Sequence, residues 1–222
     1  MATEGPKPRI LLISMNGRKA YINRYYSDLL DQLRAKARLL YAYGANMALA
    51  RLSAGPPPDA VLITDADVTY PDNADVWEVV LRYVRRGGTA ILTAQFSSLA
   101  RSRRTKTLFE KAGLPWEVSG SYYCRMTFQL NPRAAGDEIA ARLPHQYCVQ
   151  GLSLSNVAPE DAWYVADGNS GARAAVLGPN SVVVQGDAVV TMANIGVGKL
   201  GYTGDVNREE TTNLVILAMC GL

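Results

Sequence analysis

Three segments of this chain are almost continuously apolar and short enough to be strands: residues 10–14 (Ile-Leu-Leu-Ile-Ser), 60–64 (Ala-Val-Leu-Ile-Thr) and 89–94 (Thr-Ala-Ile-Leu-Thr-Ala). A strand with one face in water alternates polar and apolar residues. An unbroken apolar run implies burial on both faces, as in a parallel sheet covered by helices on each side.

The segments between them carry helical periodicity. Ser27-Asp28 starts a helix with Leu29, Leu30 and Leu33 on one face. A more amphipathic strand follows at 38–43. A short helix spans 45–54, closed by Gly55 and the breaker Pro56-Pro57-Pro58. Asp75 is a good N-cap for a helix striped by Val76, Val79, Val80, Tyr83 and Val84, with Gly87-Gly88 as its C-terminal turn. A further helix spans 105–112 and ends at Gly113. Residues 15–24 read as a polar loop. This β-α-β order predicts a doubly wound sheet.

The second half changes character. Short Val-, Ala- and aromatic-rich strands are predicted at 116–123, 125–130, 152–157, 163–166, 172–177, 188–195 and 199–203, separated by Gly/Asn/Pro turns. A short helix is predicted at 136–143. A last helix covers 207–222, with Leu214, Leu217 and Ala218 as its apolar face and Cys220 in the core. Such strands extend one edge of an α/β sheet. One domain over 1–222 is expected, with 1–8 a disordered lead-in.

With 222 residues, 48% of them hydrophobic, the chain can bury a full core. A net charge of +3 is too balanced to imply a nucleic-acid partner. No apolar run approaches the ~20 residues that span a bilayer, so no membrane partner is expected. Three widely spaced cysteines (Cys124, Cys148, Cys220) form no disulfide framework and suit a reducing, cytoplasmic compartment. One histidine, His145, placed in a surface loop, and no CxxC argue against a structural zinc site.

Several segments in order resemble the class I glutamine amidotransferase-like superfamily, in a branch close to the ThuA-like proteins and to uncharacterised fungal members. They are Ala60-Val61-Leu62-Ile63-Thr64-Asp65, Trp77 through Phe96-Ser97-Ser98, Ala112-Gly113-Leu114-Pro115-Trp116-Glu117, Asn156-Val157-Ala158-Pro159 and Gly201-Tyr202-Thr203-Gly204-Asp205-Val206-Asn207 with the closing helix. The resemblance implies a flavodoxin-like α/β/α sandwich with its site at the carboxyl ends of the parallel strands, where open α/β sheets generally bind ligands. It also implies dimers, for which the added strands offer an interface. An active glutaminase of this class needs a cysteine on the sharp turn after the relevant strand and a histidine-acid pair late in the chain. Here that turn reads Ala94-Gln95-Phe96-Ser97-Ser98, and His145 precedes the late strands. The fungal members often carry histidine at the positions of Gln95 and Cys124.

The candidate residues follow from placement after strands. Gln95 can present both a donor and an acceptor to a ligand, or tie down its own turn. Asp65 and Asp67, two apart after the third strand, can serve as acid and base, bind a hard cation, or cap the turn. Asn16, Gly17 and Arg18 follow the first strand, and Arg18 can hold a carboxylate or stay solvated. Tyr25, with Tyr21 and Tyr26, can wall a pocket or pack a helix. Ser97 and Ser98 are nucleophile or oxyanion-donor candidates, with helix capping the more common role. Tyr123 and Cys124 sit beside Arg125, where a thiol can be activated, although a lone strand cysteine is more often a small core residue. Asp205 lines the last strand-helix junction or caps the helix. Arg101, Arg103, Arg104 and Lys106 form a basic run, read as a solvated face.

Three functions compete. The first is a cofactor-free enzyme acting on an apolar oxygenated small molecule by acid/base chemistry through Asp65 or Asp67, Gln95 and tyrosine hydroxyls, in fungal secondary metabolism. The second is a non-catalytic small-molecule-binding protein on a degenerate amidotransferase pocket. The third is a hydrolase using Ser97 or Cys124, against which the missing elbow cysteine counts.

Overall fold

The computed structural model describes residues 5–100, 102–119, 125–166 and 186–222. All eleven described strands join one sheet. Its parallel half is built from β1 (Arg9–Ser14), β2 (Arg38–Tyr43), β3 (Ala60–Ile63), β4 (Thr89–Leu92) and β11 (Gly198–Thr203), in the order β2-β1-β3-β4-β11. Beyond β11 the sheet continues antiparallel through β10 (Ala188–Ile195), β9 (Ala162–Ala166), β6 (Arg125–Leu130) and β7 (Gln146–Gln150). The short strands β5 (Glu117–Ser119) and β8 (Ser153–Ser155) pair with each other, and β8 meets β10.

The continuous apolar runs have the predicted cause. Along β1, Ile10 and Leu12 enter one core while Leu11 and Ile13 enter the other. The first core is covered by α1 (Lys19–Tyr25), α2 (Ser27–Lys36) and the last helix, α9 (Glu210–Met219). The second is covered by α3 (Ala45–Ser53), α4 (Ala74–Arg85) and α6 (Ser102–Ala112). Trp77 on α4 donates its indole N–H to Leu108 O at 3.1 Å, which locks α4 to α6. This is the expected α/β/α sandwich of flavodoxin-like character. The short helices α5 (Phe96–Leu99), α7 (Pro132–Ala135) and α8 (Asp137–Ala140) complete the set.

Several expectations need correction. Residues 15–24 are not a continuous loop, since α1 begins at Lys19. Asn73, not Asp75, occupies the N-cap position of α4, without a side-chain bond; Asp75 lies in the first turn. The helix expected at 136–143 is the single turn Asp137–Ala140, and a further turn, Pro132–Ala135, precedes it across Gly136, whose φ is 81°. Strand β7 lay in a segment read as loop. The last helix ends at Met219, so Cys220 follows it and is only partly buried. Leu214 is 46% exposed, and the buried face is Val215 to Met219. The strand expected at 172–177 lies outside the described residues, as does the end of the one expected at 116–123.

The β10–β11 hairpin brings β11 back beside β4. Ile195 pairs with Gly198 across a two-residue turn, and Gly196 takes the left-handed φ of 64° that its first central position requires. Thr93 and Thr203 thus finish neighbouring strands at the carboxyl edge of the parallel half.

Candidate functional site at the carboxyl edge of the parallel strands

After β4 the chain turns sharply. Phe96 N–H donates to Thr93 O at 3.0 Å, closing a four-residue turn. Its first central residue, Ala94, has a φ of 57°. Left-handed backbone is unfavourable for a residue with a Cβ and usually falls to glycine. A strained residue between a strand and a helix is the geometry of a nucleophile elbow, which thrusts one side chain above the sheet edge. Here the apex carries a methyl group.

The turn is firmly anchored. Ser97, fully buried within α5, donates its hydroxyl to Thr203 O at 2.7 Å. Thr93 and Thr203 share a hydroxyl-hydroxyl bond of 2.7 Å. Phe96 packs edge-on against Tyr202, whose own hydroxyl donates to Leu152 O at 2.7 Å. Ser97 is therefore a tether rather than a helix cap, with its proton committed to a backbone carbonyl. Ser98 is exposed. Gln95, at the N-cap position of α5, is buried, yet its Oε1 has no hydrogen-bond partner.

At the β1/β3 switch point the second group assembles. Asp65, fully buried, accepts from Ser14 Oγ and Asp67 N, each at 3.1 Å, and from Asn16 N at 3.4 Å. Burial pushes its carboxyl above the usual aspartate value, and these bonds counter the shift. Asn16 Oδ1 accepts from Arg18 N and competes with Asp65 for the single Ser14 hydroxyl proton, while its Nδ2 is buried without a partner. Arg18 itself is exposed, and Asp67 is half-buried on the 3₁₀ turn Ala66–Thr69 that Asp65 caps. Asp65 is thus the buried member of the two and Asp67 the more exposed, and the charge of Asp67 adds to the upward push on Asp65.

After β11, Asp205 organises the entry to α9. Its Oδ1 accepts from Asn207 N at 2.7 Å and Arg208 N at 3.0 Å. Its Oδ2 accepts from Glu209 N at 2.7 Å and from the hydroxyl of Thr212. Thr212 in turn bonds the Tyr147 hydroxyl at 2.5 Å. Burial raises the Asp205 carboxyl as well.

A small cavity of about 10 Å³ lies over Ala94, lined also by Tyr26, Thr93, Asp205, Arg208 and Thr212. That is room for about one water molecule. Burial and the neighbouring Tyr21 and Asp205 push the Tyr26 phenol upward. Tyr25, 42% exposed, packs tilted against Tyr21 at 4.4 Å between centroids and carries the Arg208 guanidinium 4.9 Å from its ring centre. Tyr123 and Cys124 lie outside the described residues. Their neighbour Arg125 pairs with Glu209 at 2.7 Å.

The structure therefore brings Asn16 and Asp65 together, and Ala94 and Asp205 around one cavity. Tyr26 lines the cavity, as the pocket-wall reading of the tyrosines allows, while the sequence gives no sign of the roles of Ala94 and Arg208. An alanine after a strand gives no sign of its dihedral angle. Arg208 reads as an ordinary surface cation. Of the basic run, Lys106 pairs with Glu117 at 2.7 Å and Arg104 lies 4.3 Å from the Tyr70 ring centre. Among the described residues no three His, Cys, Asp or Glu side chains gather as metal ligands, and no helix is long and apolar enough to cross a membrane.

No protein-family model matches the chain, and no curated protein matches its sequence. Solved structures do share its fold. A protein from Bacteroides uniformis described as ThuA-like matches 99% of this chain and 92% of its own, with a TM-score of 0.61 at 12% identity. A protein from Parabacteroides merdae, also described as ThuA-like, matches 98% of this chain and 91% of its own, with a TM-score of 0.54 at 13% identity. The β-galactosidase of Bacillus circulans sp. alkalophilus matches 96% of this chain with 30% of its own, with a TM-score of 0.55 at 14% identity. At such identities the likeness is one of fold.

Proposed function

We propose that the chain is a ThuA-like member of the class I glutamine amidotransferase-like superfamily that lacks glutaminase chemistry and uses the carboxyl edge to bind a small molecule. The observation that carries this reading is Ala94: the strained strand-turn-helix apex is present, with no nucleophile on it. Positive φ at a residue with a Cβ is costly and clusters at functional sites. The unpartnered Oε1 of Gln95 and Nδ2 of Asn16 support the same reading, because orphaned buried polar atoms are uncommon and suit a ligand's groups. The reading places the protein in the cytoplasm.

Acid/base catalysis on an apolar oxygenated molecule, with a place in fungal secondary metabolism, is the second reading. It is favoured by the upward shift of Asp65 and weighed down by that carboxylate's three hydrogen bonds. A hydrolase using Ser97 has less support, because that hydroxyl donates to Thr203 O.

Amide NMR of the full chain against a library of small oxygenated fragments tests the binding reading. Shifts gathered at residues 16, 94, 95 and 205 are expected; shifts gathered elsewhere overturn it. Metabolite profiling with Gln95→Ala and Asp65→Ala separates the two main readings. Unchanged product levels in both variants favour binding, and loss of a product with an accumulated precursor favours catalysis.

A further inference from the structure

Among the described residues three non-glycine residues hold a positive φ, and two of them, Ala94 at 57° and Arg208 at 63°, line the same cavity. They come from different strand-helix junctions. The strain at Arg208 has a visible brace: its N–H donates to Asp205 Oδ1 at 3.0 Å. The brace fixes where the Arg208 side chain leaves the backbone, at the cavity mouth.

The charges around the cavity are unequal in their compensation. Asp205 is negative, but its two oxygens accept four donors from Asn207, Arg208, Glu209 and Thr212. Glu209 is paired with Arg125. Arg208 forms no ion pair among the described residues, and its guanidinium rests on the Tyr25 ring. A guanidinium carries five donors in a planar fork that fits a carboxylate in two places at once. The ring face satisfies its charge weakly and leaves the fork unfilled.

We propose that the Ala94 cavity is the head of a site for a carboxylate-bearing small molecule, with Arg208 as its charge partner. This rests on the small-molecule reading of the same edge and names its ligand class. The carboxylate sits at the mouth against Arg208, not in the depth, since the cavity holds about one water. The body of the ligand extends over the exposed Tyr25, and Arg208 exchanges its ring contact for the carboxylate. Thr93 and Thr212 line the cavity beneath.

The test is titration of the full chain, followed by amide NMR, with acetate, butyrate and benzoate, and in parallel with acetamide, butyramide and benzamide. Saturable shifts at residues 94, 95 and 208 are expected with the carboxylates and not with the amides. Arg208→Gln is expected to weaken carboxylate binding about tenfold or more, as loss of a charge-assisted pair should. Arg208→Lys is expected to recover part of it, and an unchanged spectrum away from the site shows that each variant is folded. Equal binding of carboxylates by wild type and Arg208→Gln overturns the proposal. Amide binding at residue 94 without carboxylate binding overturns the ligand class and leaves the small-molecule reading standing. No shift at residue 94 with either series overturns the proposal.

Discussion

Ala94 carries a left-handed backbone with a Cβ attached. The strain amounts to roughly 1–2 kcal/mol. Replacing it by glycine relieves that strain, loses about 0.8 kcal/mol of methyl burial and adds about 0.4–1 kcal/mol of unfolded-chain entropy. These terms nearly cancel. Ala94→Gly is therefore expected to leave the urea midpoint almost unchanged, while Ala48→Gly, buried in α3, loses about 2 kcal/mol. Equal losses at the two sites would mean that Ala94 is unstrained. At Gln95 the orphaned Oε1 makes a different forecast. Gln95→Met keeps the bulk, removes the unpaired acceptor and is expected to raise stability by about 1 kcal/mol while weakening ligand binding. Asp65 yields a pH signature. Its folded carboxyl lies above its ordinary value of 3.8, so protonation favours the folded state. That contribution is complete below pH 3.8 and is lost as pH rises through the folded value. Asp65→Asn is expected to flatten that part of the stability profile; an unchanged slope would assign it to other groups.

At the level of elements, the β11–α9 junction holds Asp205 and Arg208 of the proposed site. Gly204 lies so close to Leu152 that an added Cβ would sit 2.2 Å from Leu152 O, and Leu152 N donates to Gly204 O at 2.8 Å. This contact fixes where Asp205 leaves the strand. Asp205→Ala removes the acceptor for three backbone N–H groups and the Thr212 hydroxyl. A loss of about 2–4 kcal/mol is expected, with faster hydrogen exchange at residues 207–212. Unchanged exchange there would show that water replaces the carboxylate freely. The same scale explains what could be read in advance. Strands β1, β3 and β4 were legible because burial on both faces makes them nearly uniform. Helix α1 was not, since Ile22 alone is buried and Arg18, at its N-cap position, makes no side-chain cap bond. Strand β7 was hidden because its edge position leaves Cys148 out and only Tyr147 and Val149 in, too short an alternation to stand out.

Over the whole molecule, the parallel half of the sheet was legible, and so was the edge where a site should lie. The antiparallel extension was legible as strands but not as an order, because sequential spacing does not say that β10 and β9 separate β11 from β6. The candidate residues were found mostly as residues that follow strands. Their roles depended on hydrogen-bond partners far away in sequence: Ser97 reaches Thr203, and Ser14 reaches Asp65. The molecule, on the proposed reading, retains an elbow and lacks the nucleophile to run it. Ammonia release from L-glutamine by the purified full chain is the decisive assay. No release above the buffer rate is predicted, while release that disappears in Ser97→Ala or with all three cysteines replaced would contradict that reading.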